Sequence, residues 1–112
     1  MHLPLLESDL LLQVKLMLGQ LISGQAQFHS ESDKFSWIRA TKELLNTAIN
    51  REGYVMMFSN SAVMYFNTLQ DMQGYLSPNR VGEVLFYAKI VDFQKREMAD
   101  VAKKFEQLEG SS

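Results

Sequence analysis

Residues 54–76 decide what this chain can fold into, because the same letters satisfy two incompatible periods. Val55, Phe58, Ala62, Tyr65, Leu69, Met72 and Leu76 step by 3, 4, 3, 4, 3 and 4, the spacing that lines one face of an α-helix. Asn60, Asn67 and Asp71 then fall together on the opposite face. Met56, Met57, Met64 and Met72 are also good helix formers. The second period is that of two short apolar runs, 54–58 and 62–66, around Ser59, Asn60 and Ser61, which has the form of a hairpin. Val55 and Val63 are the only β-branched residues in the two runs. The composition therefore predicts a continuous helix over about 54–73, with a 54–66 hairpin as the alternative.

The flanking segments read as helices. Leu10, Leu11, Val14, Met17, Leu18, Leu21 and Ile22 recur at helical spacing behind Ser8, a potential N-cap, and Gly24 suits the left-handed stop after them. This predicts a helix over about 8–23. Ser30 and Asp33 approximate a capping box ahead of a stripe of Phe35, Ile38, Leu45 and Ile49. A second helix over about 31–50 follows, closed by Arg51, Glu52 and Gly53. Ser77 followed by Pro78 is a cap-and-first-turn signal. Val84, Ala88, Val91, Met98, Ala102 and Phe105 then continue without another Pro, predicting a last helix over about 78–109, about 45 Å long. The expected fold is all-α: one domain over 1–112, an antiparallel bundle of three to four helices with a long C-terminal helix.

Composition removes several functions. With 11 basic residues against 13 acidic ones and a net charge of -2, the chain has no electrostatic footprint for phosphate backbones, and nucleic acid is not an expected partner. The absence of Cys excludes disulfides and thiolate chemistry and fits a reducing, cytoplasmic setting. Glu7, Asp9, Gln13 and Lys15 interrupt the leucine-rich stretch 3–22. No run of about 18 apolar residues remains, so no membrane span is expected.

The chemistry-bearing candidates are weak. His29, Glu31 and Asp33 combine an imidazole with two carboxylates, but in no metal-ligand spacing. Glu97 with Asp100, and Glu106 with Glu109, share helix faces but are interleaved with Lys95, Arg96, Lys103 and Lys104, as on a solvated face. The glycines are scattered singly, without a phosphate loop. Lys34, Phe35, Trp37, Ile38 and Arg39 read as core packing rather than a nucleic-acid stripe. No catalytic residue, metal or cofactor is expected, and the chain reads as a non-enzyme.

What remains is surplus apolar surface. Met57, Met64 and Tyr75 form one line on the predicted third helix, and Phe86, Ile90 and Phe93 form a second stripe on the predicted fourth. A helix with two stripes needs two burial partners. The functional expectation is a protein-protein interaction module, a small adaptor, chaperone-like or regulatory subunit, binding through these six residues to a second copy or a helical heteropartner. The alternative is a small-ligand-binding sensory domain of mixed α/β class built on the 54–66 hairpin.

Overall fold

In the computed structural model, which describes residues 9–76 and 81–110, the chain is mixed α/β, with four helices and a three-stranded antiparallel sheet. The helices are α1 (Leu10–Ser23), α2 (Glu31–Ala48), α3 (Leu69–Tyr75) and α4 (Lys95–Gly110). The strands are β1 (Tyr54–Phe58), β2 (Val63–Phe66) and β3 (Val84–Lys89), in sheet order β2-β1-β3. Short 3-10 turns at Val81–Glu83 and Asp92–Gln94 bracket β3.

The all-α expectation is therefore corrected. The predicted helix over 54–73 is β1, a hairpin loop, β2 and the start of α3, and most of the predicted helix over 78–109 before Lys95 is β3 with its flanking turns. The physical reason is burial on two sides. Val55 and Met57 face a core built with α1, α2 and α4, whereas Met56 and Phe58 face a second cluster built with Met72 of α3. Such a strand needs apolar residues at every position and shows no alternation. The 3/4 spacing across 55–76 is the superposition of two faces. The two apolar stripes assigned to one long helix have a similar origin. Phe86, Ala88 and Ile90 are successive same-face positions that all enter the main core.

Local chemistry explains where the elements begin and end. The side chain of Asp9 caps α1, accepting from Leu12 N at 2.8 Å, and Gly24 ends that helix at φ +77. Ser30 caps α2, accepting from Asp33 N at 3.2 Å. The caps expected at Ser8 and at Ser77 with Pro78 lie outside the described residues. In the hairpin, Phe58 N donates to Ala62 O and Ser61 N to Phe58 O, both at 2.9 Å. Ser61 takes the left-handed conformation, φ +74, as the third loop residue. The register pairs Val55 with Tyr65 and Met57 with Val63 on one side of β1, and Val55 with Ala88 and Met57 with Phe86 on the other. A bulge after Met57 lets Phe58 pair with Val84 and leaves Leu85 outside the ladder.

Ion pairs and polar ties lock the layers. Glu109 accepts from Lys42 at 2.6 Å and Arg39 at 2.9 Å, tying the end of α4 to α2. Lys15 pairs with Glu97 at 2.8 Å, tying α4 to α1. Tyr65 donates to Leu44 O at 3.3 Å beneath the Arg51 guanidinium, and burial pushes its phenol up. Asp9 reaches further than its cap: it forms a parallel bridge with Lys89 and accepts from Gln94 Nε2 at 3.2 Å.

Gly53 enters β1 at φ +100, where a Cβ would collide with the carbonyl oxygen of Phe66, and its own carbonyl accepts from Ile90 N at 2.9 Å. Replacing Gly53 with Ala is expected to cost more than about 2 kcal/mol, since backbone strain and steric conflict add, read as a fall in the urea midpoint at unchanged slope. The Glu109 carboxyl is held below its ordinary value of 4.5 by its hydrogen bonds from Lys42 and then Arg39. A depressed folded value contributes stability above the ordinary value, and this is lost as pH falls through the folded one. Wild type should therefore be more stable than Glu109→Gln at neutral pH, by the small amount typical of a solvent-accessible pair, and the two curves should converge on acidification. Denaturation midpoints measured from neutral to acid pH check this.

Candidate protein-docking surface

Fourteen residues form α1, and Lys15 is the only charged one. Its inward face is conventional: Leu10, Leu11, Val14, Met17, Leu18 and Leu21 are buried against β3 and α4. Its outward face is not. Leu12 is 48% exposed, Leu16 56% and Ile22 68%. Leu12 and Leu16 are one turn apart, and Gly19 continues their line with open space where a side chain would stand. Large apolar side chains on a helix are normally covered by a core, yet here Leu12, Leu16 and Ile22 meet solvent beside Lys15, Gln20 and Ser23.

The surface continues onto the sheet. The bulge that removes Leu85 from the β1 ladder turns it towards α1, 40% exposed. Between α1 and β3 lies a largely apolar groove of about 220 Å³, lined by Gln13, Leu16, Met17, Gln20, Ala26, Phe28, Trp37, Leu85 and Phe86. Its aromatic wall is set by the α1–α2 connection. Ala26 N donates to Gln20 O at 3.1 Å, folding the chain back, and Phe28 packs edge-to-face on Trp37 at 5.4 Å. Within α2, buried Thr41 donates to the backbone carbonyl of Trp37 at 2.8 Å.

The six sequence-predicted contact residues are dispersed. Met57, Phe86 and Ile90 are buried in the main core, with Phe86 also lining the groove. Met64 and Tyr75 lie across the sheet in the second cluster, partly buried. Phe93 is the most exposed large hydrophobic among the described residues, at 84%. Sequence reasoning missed Leu12, Leu16, Ile22 and Leu85. The signal for the first three was available, a single charge in fourteen residues.

A second, larger groove of about 420 Å³ lies on the far side of Phe28 and Trp37, where His29, Asp33 and Ser36 meet the hairpin loop of Ser59, Asn60 and Ser61. Its lining is more polar than that of the first groove. Among the described residues no hydrogen bond links His29, Asp33 and Ser36, and no group of three His, Asp or Glu side chains converges as a metal site would require. No helix among the described residues is long and apolar enough to cross a membrane. No family model, curated protein or solved structure significantly matches the chain.

Because Leu12 and Leu16 point outward, the folded monomer should not need them. Leu12→Gln and Leu16→Gln are each expected to shift stability by no more than about 0.5 kcal/mol. Met17→Ala, beside Leu16 but buried, should cost about 2 to 5 kcal/mol. Thermal or chemical denaturation of the three variants separates outward from inward positions.

Proposed function

We propose that the chain is a non-enzymatic protein-protein interaction module, acting as a small adaptor, chaperone-like or regulatory subunit through the outer face of α1 and the groove beside β3. The observation that carries this reading is the apolar outward face of α1, with Leu12 and Leu16 about half exposed beside an apolar groove. Contiguous apolar surface of this kind is costly in water and marks interaction sites on folded proteins. The Phe28–Trp37 pair adds the aromatic contact area typical of such sites. The competing small-ligand reading has less support. The hairpin it required is present, but Met56 and Met57 are fully buried in opposite packed clusters instead of lining a cavity.

The test uses a photoreactive side chain placed at position 16 of the full chain in producing cells, with Lys104 on the exposed side of α4 as the control position. The expected result is a discrete protein adduct from position 16, none from position 104, and loss of the adduct when Leu12→Asp is added. Equal labelling from both positions, or none from position 16, would refute the reading.

A further inference from the structure

We propose that the second groove, between the start of α2 and the hairpin loop, binds a small organic cation of the quaternary ammonium class; this site is additional to the docking surface and does not rest on it. Phe28 and Trp37 both line the groove, with ring centroids 5.4 Å apart and ring planes at 76°. They therefore offer two nearly perpendicular aromatic walls. Asp33 lies four residues before Trp37 in α2, which sets carboxylate and indole on one face of the helix, a single turn apart. Ser59, Asn60 and Ser61 of the hairpin loop supply further lining. That loop is held in shape by Asn60 Oδ1, which accepts from Ala62 N at 3.0 Å, and by Ser61 at φ +74.

Perpendicular rings beside a carboxylate suit an alkylated ammonium group. The ring quadrupole draws the cation towards the aromatic faces, and the carboxylate answers its charge. The methyl groups pack against the rings without demanding hydrogen bonds of their own. The cation has to come from outside, because none of the nine lining residues is Lys or Arg. Among the described residues Asp33 forms no ion pair, whereas Asp92, Glu97 and Glu109 each do. Elsewhere the chain fills such a position itself, with the Arg51 guanidinium 4.5 Å from the centre of the Tyr65 ring. An anion would be repelled by Asp33, and a neutral apolar ligand would leave that carboxylate desolvated and unpaired. At about 420 Å³ the groove falls within the roughly 300 to 1,000 Å³ usual for small-molecule sites.

Trp37 is the only Trp in the chain, so its fluorescence reports on this wall directly. Choline titrated into the full chain should change the emission saturably, with a midpoint at about millimolar concentration, beyond any response to sodium chloride at equal ionic strength. The neutral isostere of choline, in which a tert-butyl group replaces trimethylammonium, should bind at least about tenfold more weakly. Trp37 also lines the α1–β3 groove, and Asp33→Asn tells the two apart: it should weaken choline binding at least about tenfold, with unchanged circular dichroism and melting. Phe28→Leu should weaken it as well; should that change perturb folding, Asp33→Asn decides alone. A short peptide carrying trimethyllysine distinguishes the source of the cation. Binding at least about tenfold tighter than choline assigns it to a protein side chain, and equal or weaker binding to a free small molecule. No saturable response to choline, equal binding of the neutral isostere, or choline binding indifferent to Asp33→Asn would each overturn the proposal.

Discussion

Everything in this fold depends on covering both faces of β1. Val55, Met56, Met57 and Phe58 are all buried, on alternating sides, so a single layer of helices cannot satisfy the strand. The chain meets the demand asymmetrically. Three long helices pack on the side of Val55 and Met57, and the seven-residue α3 packs on the side of Met56 and Phe58. The strand is also held edge to edge. Gly53 lets the backbone pass close to Phe66 at one end, and the bulge after Met57 adjusts the other so that Val84 can cover Phe58. Removing apolar character at any of the four positions would leave a gap on one side or the other, because neither cluster can collapse through the sheet.

The parts of the fold legible in the sequence are those set by short-range chemistry. The boundaries of α1 and α2 follow from Gly24, Ser30 and the polar break before Gly53, and the expected spans differ from the observed ones by no more than about two residues at each end, the ordinary uncertainty of helix ends. Residues 54–76 were ambiguous because burial on two faces erases the period of two on which strand recognition relies. The hairpin won through long-range pairing with β3, which no local window contains. In β3 the bulge at Leu85 broke the alternation once more, and the surviving positions imitated a helix. The candidate surface was hidden differently. The inward stripe of α1 is evident from spacing, but its outward leucines become informative only once the neighbouring elements fail to cover them.

The molecule separates its charged and apolar duties. Glu109 gathers Lys42 and Arg39 at the far end of α4, and Lys15 is drawn against Glu97. These pairs lie in contact with water and contribute little to stability. Their value is positional, since they fix α4 against its neighbours while leaving the line through Leu12, Leu16 and Gly19 free of charge. Thr41 and Tyr65 spend their hydroxyls on backbone carbonyls within α2, so the helix that supports Trp37 presents no buried, unanswered hydroxyl to the core.

The strand order β2-β1-β3 also governs how the chain is completed during synthesis. The hairpin of β1 and β2 is local and can close early. The other edge of β1 must wait for β3, on the far side of α3, and the main core waits longer still for Met98, Val101, Ala102 and Phe105 of α4. A nascent chain therefore carries the apolar residues of α1 and the central strand before the segments that bury them have emerged. Folding of this unit is obliged to be late and collective, and until α4 has left the ribosome the growing chain must be kept from pairing its bare strand edge with its neighbours.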